Sequence, residues 1–370
     1  MAGIYIHIPF CRQACHYCNF HFSTSLKLKN ELISALLKEI ELFHTSLPET
    51  ENIATIYIGG GTPSLCTPGE LQSILQKIKD HFTVDSNAEI TLEANPDDIH
   101  TGNLAAWQQA GINRLSLGIQ SFFDEDLQWM NRAHNARQAK EAIHLALSHF
   151  TNITIDLIYG TPGLSTARWE ENINRALATG IPHFSCYALT VEPKTALHTM
   201  IARHQRQDVD PDLQSEQFLL LMDKLEAAGY EQYEISNFAK PGYRSRHNAS
   251  YWQGKNYYGF GPSAHSFDGQ SRWWNIASNA LYIKSIASGI IPFEKEMLTP
   301  VQQLNELIMI SLRTNEGIDL AKMSVTERLP VLKAAAKYVQ SGKMRREADR
   351  LILTREGKLL ADGIAADLFL

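Results

Sequence analysis

The 370-residue sequence lacks several features that would place it in a special class of protein. Its apolar runs are short, as in Phe218–Met222, and none approaches the roughly 20 residues needed to span a bilayer. The first residues lack the basic and apolar regions of a signal peptide, so we expect no secretion. Positive charge is not in excess: 34 Lys and Arg against 40 Asp and Glu give a net charge of −6, which excludes a globally basic nucleic-acid binder.

Cysteine is scarce and unevenly placed. The chain has 5 cysteines, and three of them, Cys11, Cys15 and Cys18, fall close together near the start of the sequence. This distribution excludes a disulfide framework and indicates a metal site in a reducing, cytoplasmic compartment. Repeats and low-complexity segments are missing as well. Apolar residues at 44% and charged residues at 20% are typical of a globular enzyme.

Strands and helices alternate through the first two thirds of the chain. Helical spacing is clear in Leu28–Phe43, which follows the first predicted strand. The alternation predicts parallel βαβ units in an α/β fold, either an incomplete (β/α)6 barrel or a doubly wound sheet. In both folds the chemistry lies at the carboxyl ends of the strands. The predicted strands are Ile4–Ile8, Ile53–Ile58, Ala88–Leu92, Arg114–Ile119, Ile153–Ile158 and Phe184–Leu189, with Tyr233–Ile235 closing the series.

The composition changes near residue 236, and we predict three regions. Residues 1–236 form the barrel core, 237–298 an aromatic-rich connecting segment, and 299–370 a small, mostly helical, winged-helix-like C-terminal module. Basic residues of the module are offset by acidic neighbours, so we expect no nucleic-acid partner. Its predicted elements are helices over 301–313, 319–323 and 330–341, a strand at Arg350–Leu353, and a closing helix from Glu356.

The three clustered cysteines supply thiolates within one loop directly after the first predicted strand. Thiolates select iron–sulfur clusters, zinc or copper(I). A structural zinc site needs four ligands, so zinc requires a histidine as well. A cubane cluster held by three cysteines leaves one iron without a protein ligand, and that iron can bind a small molecule carrying an amine and a carboxylate. The histidines near the loop that could complete a zinc site are His7, His16 and His21.

Small and polar residues follow successive predicted strands. The second strand ends in a run of three glycines, Gly59 to Gly61, before Thr62-Pro63, and no P-loop lysine follows. Glu93 follows the third strand, and Gln120 ends the fourth. Arg132 follows a helix, and Asp156 interrupts an apolar strand. Each of these residues taken alone is explained as a structural polar group, but a series of them at strand ends favours a binding site. In such a site the carboxylate and amide oxygens would accept hydrogen bonds from a ribose diol, and the guanidinium would pair with a carboxylate.

These motifs resemble the radical S-adenosylmethionine (SAM) superfamily, in which the open iron of a 4Fe-4S cluster chelates SAM. The stretches HIPFCRQACHYCNF, YIGGGTPS, LEANPD, NRLSLGIQSF and DLIYGTPG extend the resemblance to the oxygen-independent coproporphyrinogen III oxidase-like group. The resemblance implies that Cys11, Cys15 and Cys18 hold the cluster. It implies SAM contacts at Tyr5, Tyr17, Gly60, Gly61, Thr62, Glu93, Gln120, Arg132 and Asp156.

Within that group the sequence is most similar to the haem chaperone type. The oxidase type carries a fourth cysteine where this sequence has Phe20, and it has a long extension before the first strand. The chaperone type associates a His-Asn-x-x-Tyr-Trp stretch with haem, with His247 as the expected axial ligand and His265 as the second choice. Packing of the C-terminal module onto the barrel is the alternative role for these aromatic residues. The residues of the stretch are His247, Asn248, Tyr251 and Trp252.

The resemblance therefore implies a haem chaperone that binds a 4Fe-4S cluster and SAM, carries haem as cargo and transfers it to acceptor haemoproteins. Membrane-bound respiratory enzymes are one class of acceptor, which would place the cytoplasmic protein at the inner face of the membrane. Two alternatives stay open. One is a coproporphyrinogen III oxidase acting by radical decarboxylation, and the other is an iron–sulfur regulatory protein whose C-terminal module binds DNA.

Overall fold

The computed structural model describes residues 1–44 and 51–370, and within them six parallel strands form the centre of a large sheet. Neighbours in the sheet are also neighbours in the sequence, in the order β1-β2-β3-β4-β5-β6. A doubly wound sheet reverses its strand order at a switch point, so this order excludes that alternative and confirms the barrel type. The strands are β1 (Ala2–Ile8), β2 (Ile53–Gly60), β3 (Val84–Ala94), β4 (Arg114–Gln120), β5 (Ile153–Tyr159) and β6 (His183–Ala188).

Helices connect these strands and cover the outer face of the sheet. The second helix shows why the sequence folds this way: Thr67 and Glu70 form a capping box around Pro68, and Leu71 and Leu75 on the next turns are buried. The connecting helices are α1 (Lys29–His44), α2 (Pro68–His81), α3 (Thr101–Ala110), α4 (Asp124–Trp129), α5 (Ala136–Leu147) and α6 (Thr166–Ala178). They are followed by α7 (Ala196–Ala202) and α8 (Pro211–Ala227).

The predicted closing strand at Tyr233–Ile235 is wrong. These three residues form the turn between two short strands, β7 (Glu231–Gln232) and β8 (Asn237–Ala239). β8 pairs with β6 in the antiparallel direction, and β7 pairs with β8. Tyr233 was predicted to be a strand residue because it is large and apolar. Its ring is buried in the turn, where its hydroxyl contacts the ring nitrogen Nε2 of His183.

The aromatic-rich segment extends the sheet on its other side, next to β1. It begins with a short helix, α9 (Arg246–Trp252), and β9 (Tyr257–Phe260) then pairs with β1 in parallel. Antiparallel strands β10 (His265–Phe267), β11 (Ser271–Asn275) and β12 (Phe293–Met297) follow, with α10 (Asn279–Ala287) before the last. The sheet therefore ends in edge strands on both sides and does not close, as an incomplete barrel requires.

The C-terminal module is winged-helix-like, as predicted. Helices α11 (Pro300–Leu312) and α12 (Val325–Gln340) pack against a small antiparallel sheet in the order β13-β15-β14. The predicted helix over 319–323 is wrong, because Asp319 ends a strand and a single 3-10 turn, Leu320–Lys322, follows it. The strands are β13 (Ile318–Asp319), β14 (Met344–Glu347) and β15 (Arg350–Leu353), and the closing helices are α13 (Arg355–Lys358) and α14 (Ala361–Asp367).

Two buried apolar clusters bear on the predicted division into regions. One lies between the main sheet and its helices and includes Tyr258 and Phe260 of β9. The other belongs to the C-terminal module and includes Ile308 and Val331. The three-region division stays a prediction, since the strands of the connecting segment pair with the main sheet. Among the described residues, no helix combines the length and the apolar character needed to cross a membrane.

Candidate functional site

A cavity of about 460 Å³ opens at the carboxyl ends of the parallel strands. It lies where the chemistry of a parallel α/β fold is expected. Every predicted cluster and SAM residue except Tyr5 lines this cavity. Those residues are Cys11, Cys15, Tyr17, Cys18, Gly60, Gly61, Thr62, Glu93, Gln120, Arg132 and Asp156.

The cysteine loop closes one side of the cavity. Its backbone is fixed by hydrogen bonds from the Cys11 amide to the Ser23 carbonyl at 3.0 Å and from the Cys18 amide to the Cys15 carbonyl at 3.3 Å. All three cysteines are free thiols of intermediate exposure. Burial raises the pKa of Cys11, and that of Cys18 to about 11. Thiolates at these positions are therefore costly without a cation to pair with, and a metal centre supplies one.

Each histidine that could complete a zinc site has at least one ring nitrogen in contact with another polar group. His7 Nε2 lies 2.9 Å from the His21 carbonyl, His16 Nδ1 lies 3.1 Å from the Trp129 carbonyl, and His21 Nε2 lies 2.8 Å from Asn279 Oδ1. In the part of the chain that the structure describes, no three His, Cys, Asp or Glu side chains converge as ligands of a single ion. A cubane presents a separate iron to each thiolate, so three cysteines without a histidine fit a cluster better than zinc.

The glycine run packs the end of β2 directly against the cysteine loop. A Cβ at Gly60, whose φ is +108°, would lie 2.6 Å from His7 Nδ1. A Cβ at Gly61 would lie 2.6 Å from the Phe10 carbonyl oxygen. The Thr62 amide donates to that same oxygen at 2.7 Å. These glycines are therefore needed for packing, whatever ligand approaches their backbone.

Arg132 places a positive charge on the cavity wall. Its Nη1 donates to Cys15 Sγ at 3.3 Å, and its Nη2 donates to Asn95 Oδ1 at 2.7 Å and to the Gly118 carbonyl at 3.0 Å. Its Nε is buried and has no hydrogen-bond partner among the described residues. A buried guanidinium donor without a partner is costly, so the side chain suits an anionic ligand such as a carboxylate.

Two half-buried carboxyl groups face the same space. Glu93 Oε1 accepts the Tyr57 hydroxyl at 2.7 Å, and Glu93 Oε2 accepts the Gly60 amide at 3.1 Å. The Ser116 hydroxyl donates to Asp156 Oδ1 at 3.4 Å. Burial raises the pKa of both carboxyl groups to about 7. Such groups are near their midpoint at neutral pH, and both can accept hydrogen bonds from the hydroxyls of a ribose.

Backbone strain marks Gln120, at the end of β4. Its φ is +66°, a region that glutamine rarely adopts, and the residue is buried. Residues held in such conformations cluster at binding sites, where the surrounding structure fixes them. The unusual backbone conformation of Gln120 therefore supports its assignment as a binding residue on the cavity wall.

Several residues that complete the site were missed from the sequence. Asn95 joins Arg132 to Thr62, since its Nδ2 donates to Thr62 Oγ1 at 3.2 Å. Tyr57 holds Glu93, and Tyr187 of β6 faces the cavity with 43% of its surface exposed. Asn95 lies two residues beyond Glu93, and that proximity was the one available signal. The other contacts join distant parts of the chain, which no local pattern reveals.

Tyr5 lies beneath the cavity instead of on its wall. Its ring stacks on Tyr57 with 6.2 Å between centroids, and its hydroxyl lies 3.1 Å from His7 Nδ1. Direct contact of Tyr5 with SAM therefore stays a prediction, and in the structure its contacts are with other aromatic side chains.

The residues predicted to bind haem lie at the opposite end of the barrel. His247 is 1% exposed, and its ring nitrogens have partners: Nδ1 lies 2.8 Å from Thr55 Oγ1, and Nε2 lies 2.9 Å from the Tyr251 hydroxyl. Asn248 and Trp252 are half-buried on the same helix, α9. His265 is exposed and stacks on Trp274. Haem ligation stays a prediction, and at His247 it requires that one of these hydrogen bonds be broken.

Comparison with known proteins identifies the class of protein. Residues 5–191 match the family model of the radical SAM superfamily, and residues 298–360 match that of the HemN C-terminal domain. A solved structure described as coproporphyrinogen III oxidase (HemN) from Escherichia coli, a radical SAM enzyme, superposes with a TM-score of 0.86 at 21% identity. The match covers 100% of this chain and 90% of that one. At this identity the likeness shows the fold.

Curated relatives narrow the class to one family. A protein named Heme chaperone HemW from Mycobacterium tuberculosis is 35% identical over 99% of this chain and 94% of its own length. The protein of that name from Bacillus subtilis is 34% identical over 98% of both chains, and that from Escherichia coli is 36% identical over 71% of this chain and 69% of its own. The chain therefore belongs to the HemW family of the radical SAM superfamily.

Proposed function

We propose that this chain is a haem chaperone that holds a 4Fe-4S cluster and SAM in the cavity and delivers haem to acceptor haemoproteins. One observation carries the first part of the proposal. Three cysteines, a strand end of glycines, two half-buried carboxyl groups and an arginine meet on the wall of a single cavity. The printed name of the relatives carries the second part.

Each side chain has a role in this proposal that follows from its chemistry. Cys11, Cys15 and Cys18 ligate the cluster, which supplies electrons to bound SAM. Arg132, on the cavity wall, pairs with a ligand carboxylate through its guanidinium group. Glu93 and Asp156 accept hydrogen bonds from ligand hydroxyls, and the side chain of Gln120 is a third polar contact for the ligand. Tyr17, Gly60, Gly61 and Thr62 complete the wall against which the ligand packs, and Tyr5 supports it from below.

Haem is the cargo in this proposal. The predicted contacts are His247, Asn248, Tyr251 and Trp252, which α9 carries. A porphyrin presents a flat apolar face, and aromatic side chains offer matching area. Trp252 is half-buried and contacts Arg313 of the C-terminal module, with 5.2 Å between the guanidinium carbon and the ring centroid. The predicted haem site therefore lies beside the module.

The oxidase function is the second candidate, favoured by the fold it shares with HemN. Against it stands Phe20, which lines the cavity at the position where the oxidase type has its fourth cysteine. Its side chain is 66% exposed, so the cavity mouth is apolar at that point. The DNA-binding alternative rests on the winged-helix-like module alone, and a fold does not fix a function. We infer a cytoplasmic chaperone without a nucleic-acid partner, which works at the inner face of the membrane when its acceptor is a respiratory enzyme.

Haem transfer and decarboxylation are separated by one experiment. Anaerobically reconstituted, haem-loaded protein is immobilised and mixed with apomyoglobin, and the Soret band of the released fraction is followed. In parallel, reduced protein with SAM is incubated with coproporphyrinogen III, and the products are analysed. We expect haem to move to apomyoglobin faster than it leaves into buffer, and no protoporphyrinogen. Multiple-turnover formation of protoporphyrinogen would favour the oxidase instead.

A further inference from the structure

A column of stacked aromatic rings runs through the inside of the barrel, from α9 to the cavity. His247 lies level with the starts of β1 and β2, whereas Gly59 and Glu93 lie at the cavity end of β2 and β3. Thr55 and Gly59 are separated by about 13 Å along β2. The aromatic side chains between these two levels connect them.

The lower part of the column is fixed by α9. Glu89 of β3 accepts the backbone amides of Arg246 and His247, each at 3.0 Å, and so anchors the start of this helix. The imidazole of His247 is then held from both sides by the Thr55 and Tyr251 hydroxyls. The Tyr251 ring meets the imidazole edge-on, with 5.0 Å between centroids. The imidazole therefore has a single position and tilt.

The upper part of the column joins that imidazole to the cavity. Tyr57 stacks on His247 with 5.1 Å between ring centroids and 27° between the planes. The same tyrosine donates its hydroxyl to Glu93 Oε1. The ring of Tyr5 also stacks on that of Tyr57, with 6.2 Å between the ring centroids. The position of the Glu93 carboxyl group thus depends on a tyrosine that rests on His247.

Two glycines make room for the ends of the column. A Cβ at Gly3 would lie 3.2 Å from the His247 ring and 2.9 Å from Thr55 Oγ1. A Cβ at Gly59 would lie 2.9 Å from the Tyr57 ring and 3.0 Å from Glu93 Cδ. Both glycines therefore give space to the side chains of the column.

We propose that His247 and Tyr251 are positioning residues for Glu93 and act through Tyr57. A group that takes Nε2 of His247 away from Tyr251 then changes the cavity at the far end of the barrel. Binding coupling is reciprocal, so a ligand held by Glu93 changes the affinity of His247 for that group by the same factor as the group changes the affinity for the ligand. The inference rests on the proposed function, because SAM is the ligand through which the position of Glu93 is measured.

A double-mutant cycle on SAM affinity tests this link. SAM binding is measured by equilibrium dialysis on the anaerobically reconstituted wild type, Tyr251→Phe, Tyr57→Phe and the double variant, without haem. Each single variant is expected to weaken binding roughly fivefold, as for one lost neutral hydrogen bond. The double variant should bind no more weakly than Tyr57→Phe, because both changes act on one path. A His247→Ala variant should resemble Tyr57→Phe.

Controls separate this inference from packing and from the proposed function. Tyr282→Phe also removes a buried tyrosine hydroxyl, but its partner is Glu39 of α1, outside the column, so SAM binding should stay at the wild-type value. Independent, multiplicative losses in the double variant would overturn the inference, and so would wild-type affinity in Tyr251→Phe. If the wild type itself, with full iron content, binds no SAM, the proposed function fails instead.

Discussion

Arg132 and Arg12 both line the cavity, but their charges are used differently. Arg12 is largely exposed and pairs with Asp98, with 2.6 Å between Nη2 and Oδ1, whereas Arg132 is half-buried and has no carboxylate partner among its hydrogen bonds in the described residues. We predict that Arg132→Ala weakens SAM binding by about 2–3 kcal/mol, as for a lost charged hydrogen bond. Arg12→Ala is the matched control and should change it by less than about 1 kcal/mol. Calorimetric titration with SAM measures both, and equal affinities in the two variants would make Arg132 structural.

The five cysteines divide into a site group and a packed group. Cys66 is 3% exposed and Cys186 is 1% exposed, and neither lines the cavity. Cys15→Ser should therefore lose most of the roughly four irons of a reconstituted cubane, while Cys66→Ser keeps them. Iron and sulfide analysis after desalting decides the outcome. A full cluster in the Cys15 variant would show that the three-cysteine assignment is wrong.

His247 and His265 are the two candidate haem ligands, and their surroundings differ. Burial lowers the pKa of His247 to about 3, so its imidazole is neutral throughout the physiological range. Iron ligation needs a neutral imidazole, so haem binding through His247 should show no loss between pH 8 and 6. Haem titration at the Soret band is predicted to be impaired in His247→Ala and unchanged in His265→Ala. The reverse pattern would move the ligand to the exposed histidine.

At the residue level, sequence patterns found the cavity wall but not its supports. The cysteines, Glu93, Gln120, Arg132 and Asp156 lie in or shortly after strands and helices that the apolar pattern located. The role of Tyr57 was missed, because in the sequence it is one of several large residues in a buried strand. Its function as a hydrogen-bond donor depends on Glu93, which lies on the neighbouring strand. Contacts between residues far apart in the chain leave no local signal.

At the level of elements, long periodic segments were predicted well and short ones were not. Six parallel strands and most helices follow from apolar runs and spacing. β7 to β12 are short, and pairing with existing strands defines them. The seven-residue helix α9 was missed, because its start depends on the Ser245 cap and on Glu89, which lies far away in the sequence. Such elements are set by tertiary contacts.

Glu39 shows how one helix is tied to the added strands. On α1 it is 1% exposed and accepts hydrogen bonds from the Gly261 amide at 2.7 Å, from Asn275 and from Tyr282. Burial outweighs these donors and raises the pKa of Glu39 to about 7. The folded protein thus holds this proton more tightly than the unfolded chain, whose glutamate has a pKa near 4.3.

Because the pKa of Glu39 is raised on folding, this residue makes the protein less stable as the pH rises. The stabilising contribution of the protonated Glu39 is complete below about pH 4.3 and is lost as the pH rises through about 7. Relative to Glu39→Gln, wild-type stability should fall by on the order of 3 kcal/mol between pH 4.5 and pH 8. Urea unfolding at several pH values measures this difference. Glu41→Gln, at an exposed position of the same helix, should follow the wild type, and parallel curves for wild type and Glu39→Gln would contradict the prediction.

At the scale of the whole molecule, the cavity and the predicted haem site occupy opposite ends of one barrel. Both were predicted from the sequence, the cavity from motifs in and after β1 to β5 and the haem site from the stretch that forms α9. The sequence could not show that the two sites are separated, since the placement of α9 under the starts of β1 and β2 depends on tertiary contacts. The added strands β9 to β12 were likewise missed as parts of the sheet, and this is where the chain departs from a simple series of βα units.

The central claim is that one cavity holds a cluster whose open iron binds SAM. Electron paramagnetic resonance of the reduced, reconstituted protein, recorded before and after addition of SAM, tests this claim most directly. We predict that SAM changes the spectrum of the cluster in the wild type, because it adds ligands to one iron, and that Arg132→Ala needs a higher SAM concentration for the same change. A spectrum that saturating SAM leaves unaltered, in protein with full iron content, would contradict the claim.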